Sequence, residues 1–480
     1  MDIPLETFGL MFFAFLIPTP AQRLEQPRGP STLLRQWWSE RRQSPNAPPE
    51  ALSVFGAPFS VDNKKPSSFQ NETNRPMPLA EQISAAAVTR YANAIGTLPP
   101  TTTPSSEQVF RQYLELQQEL RAKELRKRQI QASKRARFLR RLDKNVHAFM
   151  HKYQIEGVSV SIAVPKGVKV ERAYGMANVE RGIAMTPQHM FRVASLSKPI
   201  TSAAILLLVE QGRLKLNERV FGIGGILGLK FGTKPYSHDV QSVTVQHLLE
   251  HSAGWSSNPA SGDPVGMHPS MSRAALISWV LDNIPLQRPP GTKFQYSNFG
   301  YLVLGRVIEA RSGQTYTSYV HQHILAPCAA NGMSNGNFLP GREPAYYSSE
   351  GSPYTFPLWR ADSALGWVST PSDYLRFVLC VDGFPQTSDV LRSNSIKRML
   401  TPSNVHDAYG LGWSFNRNHD WWHSGSMPGS AAYVEKYRSG LTWVIMLNRR
   451  HELKVEADGP QLSLLEFEAD LSHVISRDLF

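Results

Sequence analysis

Apolar residues alternate with small or polar residues at two places that lie far apart in the chain. From Val158 to Val164 every second residue is apolar, which is the period of a β-strand. Residues 168–174 predict its hairpin partner across 165–167. Residues 430–438 and 441–448 predict a second pair of strands, which turns at 439–440. We expect the front and back strands to join one antiparallel sheet.

Outside these predicted strands, the apolar residues mostly follow the period of an α-helix. Apolar residues spaced by three and four predict a long helix over about 106–150 and an amphipathic helix over about 460–478. The stretch between the two strand pairs is mainly helical in pattern. Strands at the front, helices in the middle and more strands at the back predict α+β architecture.

The first 21 residues contain an apolar run with the length of a signal-peptide core. The run covers residues 8–17, and Ala21 is a candidate cleavage position, but Asp2 and Glu6 precede the run and no Lys or Arg does. Two interpretations stay open. Either the protein is secreted or extracytoplasmic, or the segment docks on the body of a mitochondrial or cytoplasmic protein.

A proline-rich leader follows. Fifteen of the 35 prolines lie at or before Pro104, and residues 22–104 are otherwise rich in Ser, Thr, Asn and Gln. Such a segment buries too little apolar surface to offset its conformational entropy, so we expect it to be mostly disordered. The predicted organisation is an N-terminal segment (1–21), this leader (22–104), a basic helix (105–136) and a main domain (137–480).

The net charge of +12 is concentrated in that helix. Residues 111–145 carry twelve basic and four acidic side chains, whereas residues 1–110 carry nine of each. A solvated helix that projects from the body accounts for this charge, and contact with an acidic membrane surface or a protein is the second interpretation. No aromatic interleaving accompanies the charge, so we expect no nucleic-acid partner.

Cysteine content and hydropathy exclude several classes of protein. The two cysteines, Cys328 and Cys380, are too few for a disulfide scaffold or a multi-cysteine metal site. One disulfide and two separate thiols fit the sequence equally well. No run of 18 apolar residues occurs, so the sequence predicts no ordinary membrane-spanning helix.

The strongest indication of catalytic chemistry in the sequence is a serine three residues before a lysine. Ser195 and Lys198 precede the apolar helical run 200–208, and at a helix start this spacing places them on one face. A serine hydroxyl needs a base within hydrogen-bond reach before it becomes a good nucleophile. A buried lysine serves as that base when its pKa is lowered enough to leave the amine neutral.

Two later motifs add to this signal. Tyr296 and Asn298 are two residues apart; the tyrosine is expected to lose its proton more easily near ammonium groups, and the asparagine offers an amide to Lys198 or a substrate. The run from His423 to Ser426 precedes the back strand pair. Its glycine, Gly425, allows close approach of the backbone, after which an N–H group can face an oxyanion.

Together and in this order, the three motifs resemble those of the serine beta-lactamase and penicillin-binding-protein-like superfamily. The Tyr-x-Asn and His-x-Gly forms resemble its class C and esterase branch. The segments 243–255, 366–373 and 409–413 are also similar to this family, and the resemblance covers about residues 137–455. It implies an antiparallel sheet flanked by helices, an all-helical lobe, and no metal or organic cofactor.

The resemblance also implies residue roles. Ser195 would form the acyl-enzyme, Lys198 and Tyr296 would share the acid and base duties, and Asn298 would orient Lys198 or the substrate. The N–H groups of Ser195 and Ser426 would form the oxyanion hole. The expected substrate is a small molecule or a peptide, cleaved at an ester, amide or peptide bond.

One departure from the family pattern bears on the substrate. His423 stands where penicillin-recognising members usually carry lysine, with Gly425 beside it on the same strand. A neutral imidazole holds a carboxylate less strongly than a permanent cation does, which favours an esterase, amidase or peptidase over a true beta-lactamase.

Other functions remain as alternatives. The main one is a catalytically weak or inactive relative that serves as a binding or assembly protein. An α/β-hydrolase would require Gly-x-Ser-x-Gly after a strand, and the segments 254–256 and 412–414 both lack the closing glycine. His247 and His251 have the spacing of metal ligands on a helix, but no His-Glu-x-x-His pattern surrounds them, so we interpret them as structural.

Overall fold

The structure is a computed structural model that describes residues 106–164, 168–257, 263–336, 338–349, 351–450 and residue 470. The predictions for residues 1–104, for the turn at 165–167 and for the helix at about 460–478, apart from Asp470, lie outside the described residues. Residues 106–140 belong to one compact unit and the described residues from Arg141 onward to another.

A long helix, α1 (Ser106–Tyr153), opens the described chain where the sequence predicts one over about 106–150. Its last three turns bury the predicted apolar side, with Leu142, Val146 and Phe149 in the core. Tyr174 donates a hydrogen bond to Asp143 at 2.7 Å. This end of the helix is therefore fixed to the strands that follow it by both apolar and polar contacts.

Ten strands are present among the described residues, and they form two antiparallel sheets. The order of the seven-stranded sheet is β3-β2-β1-β10-β9-β8-β7, and that of the three-stranded sheet is β4-β6-β5. The strands are β1 (Gly157–Val164), β2 (Val168–Asn178), β3 (Ile183–Ala184), β4 (Phe191–Arg192), β5 (Ser334–Asn335), β6 (Trp367–Ser369), β7 (Ser414–Phe415), β8 (Trp421–Met427), β9 (Ser430–Lys436) and β10 (Thr442–Leu447).

The large sheet joins the two ends of the main domain as the alternation predicts. Strand β1 pairs with β2 along its whole length and with β10 on its other side, where Val160 lies opposite Ile445. Strands β9 and β10 form the predicted back pair. The run from His423 to Ser426 precedes this back pair, as predicted, and it belongs to a further strand, β8, which pairs with β9 over all seven of its residues.

The regular structure between β4 and β7 is mainly helical, with only the short strands β5 and β6 among its described residues. Three single turns of 3₁₀-helix cover Ala194–Leu196, Pro264–Gly266 and Leu358–Ala361, and a π-helical turn covers His321–Leu325. The α-helices after α1 are α2 (Ser197–Glu210), α3 (His238–Ser242), α4 (Val245–Leu249), α5 (Arg273–Asn283), α6 (Asn298–Ser312), α7 (Tyr316–Val320), α8 (Asp362–Leu365), α9 (Pro371–Leu379) and α10 (Ser393–Met399).

The helical lobe packs around α2, which is almost entirely buried. Helices α6 and α8 pack against α2, and α4 packs against α6. Helix α9 covers β1 and β10 of the large sheet. The molecule thus has the expected α+β fold, an antiparallel sheet flanked by helices together with an all-helical lobe.

Cys328 and Cys380 form a disulfide with a Cα–Cα distance of 5.5 Å. Of the two possibilities that the sequence leaves open, one disulfide or two separate thiols, the structure has the disulfide. The bond links the segment after the π-helical turn to the end of α9. Within the ranges that the structure describes, no helix is both long and apolar enough to cross a membrane.

Candidate active site

Ser195 lies in the single 3₁₀ turn Ala194–Leu196, between strand β4 and helix α2. The residue before it, Ala194, has a φ of 47°, which is a left-handed conformation that costs an alanine free energy. Val193, one position earlier, is held by a 3.0 Å hydrogen bond from its N–H to the carbonyl of Trp367. The surrounding structure thus maintains a strained turn directly before the serine.

Lys198, in the first turn of α2, is completely buried and faces Ser195. Its Nζ lies 2.9 Å from Ser195 Oγ, 2.7 Å from Asn298 Oδ1 and 3.1 Å from the carbonyl oxygen of Ala364. Burial places the pKa of Lys198 well below its usual value, because the ammonium form loses its hydration. The amine is therefore suited to accept a proton from the serine.

Tyr296 lies two residues before the first residue of the buried helix α6. Lys198 Nζ is 4.8 Å from the centre of its ring. The hydroxyl is buried near that of Ser195, but it makes no hydrogen bond of ordinary geometry among the described residues. The sequence-based expectation that this tyrosine loses its proton easily is wrong: burial raises its pKa well above the usual value, and the neighbouring Ser195 hydroxyl opposes this only in part.

Asn298 occupies the first position of α6, whose N-cap is Ser297. Its backbone N–H donates to Ser257 Oγ at 2.9 Å. Its side-chain Nδ2 donates to a carboxylate oxygen of Asp263 at 2.5 Å. Asp263 is fully buried and was not among the residues predicted from the sequence. The structure thus adds an acid to the predicted group.

Strand β8 approaches the nucleophile turn at Gly425. A Cβ atom at this position would lie 2.0 Å from the carbonyl oxygen of Val193 and 3.1 Å from the backbone nitrogen of Ser195. Only glycine allows this approach. Ser426 follows, and its hydroxyl accepts a hydrogen bond from Arg450 at 3.1 Å. The predicted strand motif therefore lies against the serine.

His423 is completely buried in the same strand, and both of its ring nitrogens have partners. Nδ1 lies 2.7 Å from the carbonyl oxygen of Ser424, and Nε2 lies 3.4 Å from the hydroxyl of Tyr409. Burial, together with the nearby charge of Lys198, lowers the pKa of His423 to about 3. The imidazole is therefore neutral at physiological pH.

His251 and Tyr409 extend this polar cluster, although the sequence assigned them no part in the site. His251 is buried and lies 3.1 Å from the Tyr409 hydroxyl. His247, its predicted structural partner, receives a hydrogen bond from the Thr244 N–H at 3.2 Å and caps α4. In the described part of the chain, no group of three or more His, Cys, Asp or Glu side chains is placed to hold a metal ion.

Comparison with known proteins identifies the family. Residues 142–466, about two thirds of the chain, match the profile of the Beta-lactamase family. The chain belongs to the beta-lactamase family. One relative, "Protein flp" of Staphylococcus aureus (strain MW2), is 26% identical over 329 residues, which are 65% of this chain and 64% of the relative. The chain thus spans slightly less than two thirds of the length of this relative.

Solved structures show the same fold at low sequence identity. The D-amino acid amidase from Ochrobactrum anthropi SV3, complexed with L-phenylalanine amide, has a TM-score of 0.55 at 22% identity over 70% of this chain and 97% of that chain. A penicillin binding protein from Bacillus halodurans has a TM-score of 0.53 at 21% identity over 68% of this chain and 99% of that chain. These likenesses extend to the fold alone.

Proposed function

We propose that the protein is a serine hydrolase that cleaves an ester, amide or peptide bond through an acyl-enzyme. The observation that carries the proposal is the 2.9 Å contact between Ser195 Oγ and the amine of Lys198. Lys198 is fully buried, so its amine is neutral more readily than that of an exposed lysine. A neutral amine at this distance is a general base for the hydroxyl.

Acylation begins when Ser195 Oγ attacks the carbonyl carbon of the substrate. As the Oγ–C bond forms, the hydroxyl proton moves to Lys198 Nζ. The backbone N–H groups of Ser195 and Ser426 stabilise the oxyanion, a role supported by the contact of Gly425 with the nucleophile turn. The proton then passes by way of Tyr296 to the leaving group, and the bond between carbonyl carbon and leaving group breaks.

In deacylation a water molecule is the nucleophile and Ser195 Oγ is the leaving group. Lys198 accepts one proton from the water, relayed by the Tyr296 hydroxyl, as the water oxygen attacks the acyl carbon. The same proton then passes from Lys198 to Ser195 Oγ as the ester bond breaks and the acid product leaves. The raised pKa of Tyr296 keeps its phenol protonated, so it donates and relays a proton and is not a free phenolate base. A buried hydroxyl without a partner costs about 1–3 kcal/mol, and a bound substrate or leaving group would satisfy it.

The state of His423 bears on the substrate class. Its two nitrogens already bind Ser424 and Tyr409, and it carries no charge, so it offers no cation to a substrate carboxylate. Esters, amides and peptides are therefore favoured over beta-lactams. The solved amidase with the same fold acts on an amide bond by its name, which is consistent with this preference.

The test is intact-mass spectrometry of the wild type and Ser195→Ala after exposure to p-nitrophenyl acetate, a cephalosporin and a fluorophosphonate. We expect adducts on the wild type and none on Ser195→Ala. Ser202→Ala, which removes another buried serine hydroxyl of the α2 region, is the matched control and should react like the wild type. The reagent that is also turned over identifies the bond cleaved.

A folded wild type without any adduct would contradict the proposal. That result would favour the alternative of a non-catalytic binding or assembly protein. Equal labelling of the wild type and Ser195→Ala would instead remove Ser195 from the mechanism while leaving some other nucleophile active.

A further inference from the structure

Asp263 is held rigidly at the edge of the candidate site. It caps the 3₁₀ turn Pro264–Gly266, where its Oδ1 accepts the N–H of Val265 at 3.0 Å. Arg360, also buried, donates to the carbonyl oxygens of Val265 (2.7 Å) and His268. The position of the carboxylate is thus fixed by its hydrogen bond within the turn and by the hydrogen bonds of Arg360 to the turn and to the segment after it.

The other carboxylate oxygen determines which way the Asn298 amide faces. An ionised carboxylate only accepts hydrogen bonds, so the atom of Asn298 that lies 2.5 Å from it must be the NH₂ group. The amide oxygen then necessarily faces Lys198, which it meets at 2.7 Å. Reversing the amide would bring a second donor against the Lys198 amine.

Asp263 also supplies a negative charge to the surroundings of Lys198. The other groups that face the lysine are the rings of Tyr296 and Tyr301, 4.8 and 5.7 Å away, and two buried histidines, His251 and His423. Burial lowers the pKa of both histidines, which favours their neutral form, so neither supplies a charge beside the Lys198 amine.

Charges on the neighbouring elements have partners of their own. Asp362 of α8, the helix that presents the Ala364 carbonyl, is paired with Arg306 at 2.8 Å and with Arg273 at 3.2 Å. The charge of Asp263 partly offsets the effect of burial on the pKa of Arg360. Among the described residues, Asp263 is therefore the carboxylate that acts on Lys198.

We propose that Asp263 is a positioning residue, which fixes the orientation of the Asn298 amide and, by its negative charge, restrains the loss of the proton from Lys198. This inference rests on the proposed function. The charge opposes the effect of burial on Lys198, because a nearby anion stabilises the ammonium form. Burial raises the pKa of Asp263, and the hydrogen bonds from Asn298 and Val265 together with the charge of Lys198 oppose this rise and favour the carboxylate form.

The test measures how the rate of labelling by a fluorophosphonate depends on pH between about pH 5 and about pH 9. Intact-mass spectrometry measures the labelled fraction at each time. In Asp263→Asn the amine of Lys198 loses its proton at lower pH. We expect the acid midpoint of the labelling rate to move down by about one pH unit, the scale for loss of a nearby opposite charge. The rate at the plateau should fall as well, because the Asn298 amide is no longer oriented.

A matched control separates this effect from a general loss of stability. Asp382→Asn removes a buried carboxylate that is paired with Lys436 elsewhere in the domain, so it should destabilise the protein without moving the midpoint. If Asp263→Asn does not fold, Asp263→Ser provides an uncharged variant that keeps a small acceptor for the Val265 N–H.

The outcomes distinguish this inference from the proposed function. An unchanged midpoint in a folded, labelled Asp263 variant would overturn the role of Asp263 alone, as would an equal loss of rate at every pH. Absence of labelling in the wild type would instead contradict the proposed function, on which this inference depends.

Discussion

The backbone N–H of Ser297 donates a hydrogen bond to Nδ1 of His251 at 3.0 Å. Because this nitrogen is the acceptor, the neutral imidazole carries its proton on Nε2, which therefore donates to the hydroxyl of Tyr409. Tyr409 in turn faces Nε2 of His423, whose Nδ1–H donates to the carbonyl of Ser424. A single chain of hydrogen bonds thus connects the N-cap of α6 to strand β8.

We predict that Tyr409→Phe destabilises the protein by about 1–3 kcal/mol, because it leaves Nε2 of both His251 and His423 buried without this partner. Urea unfolding measures the loss. Tyr319→Phe is the control, since it removes a tyrosine hydroxyl whose contact with Gln211 is weak at 3.4 Å. Equal losses in the two variants would argue against a connected chain.

The lowered pKa of Lys198 predicts how stability depends on pH. Between the folded and unfolded pKa values of this lysine, the unfolded chain binds more protons than the folded one, so the free energy of unfolding rises with pH. Lys198→Met lacks this contribution. We expect the stability of the wild type relative to Lys198→Met to increase from about pH 7 to about pH 10.

Urea titrations at several pH values check this, with Lys230→Met as the exposed control. Parallel pH curves for the wild type and Lys198→Met would be inconsistent with a lowered pKa.

The same Lys198 variant should label or hydrolyse at least ~100-fold more slowly, the usual scale for loss of a positioned base.

Gly425→Ala should lower both the activity and the stability of the protein. The new Cβ would collide with the Val193 carbonyl and push β8 away from the Ser195 backbone. Overpacking of this kind costs about 1–3 kcal/mol, whereas misplacing one oxyanion donor costs about 100-fold in rate. Gly300→Ala is the control, because a Cβ there meets nothing closer than 3.6 Å. Normal rates in Gly425→Ala would contradict the assignment of the oxyanion site.

The disulfide should stabilise the fold without taking part in the chemistry. Cys328 and Cys380 are 52 residues apart, and closing a loop of that size stabilises by about 4 kcal/mol in the chain-entropy account. We expect Cys328→Ala/Cys380→Ala to unfold at lower urea concentration and to keep wild-type labelling of Ser195 under native conditions. Two titratable thiols in the native wild type would show that the bond is not formed.

Local pattern was sufficient to predict the regular elements. The alternation from Val158 to Val164 predicted β1, its hairpin partner and, with the back strands, the antiparallel sheet, because successive side chains of a strand point to opposite faces of the sheet. The three-stranded sheet could not be predicted in this way. Its strands β4 and β5 have two residues each, which is too short to carry a period.

In the candidate site, too, the residues within short motifs were predictable and the contacts made by tertiary folding were not. Ser195, Lys198, Tyr296 and Asn298 stand in short motifs, and the structure brings them together. Asp263 lies 35 residues before Asn298 in a turn with no motif of its own, so only tertiary folding reveals their contact. The direction of the Tyr296 pKa was also beyond the sequence, because it depends on complete burial.

The three contacts of the Lys198 amine come from three separate elements: the nucleophile turn, the start of α6 and the end of α8. No two of these elements are adjacent in the chain, so the amine acquires its full set of partners only after the lobe has assembled. With Ser195 as the nucleophile, incompletely folded chains carry an ordinary, unreactive serine. Under the proposed mechanism we expect Ser195 to become reactive only on folding, so that its labelling measures the fraction of molecules that have reached the native state.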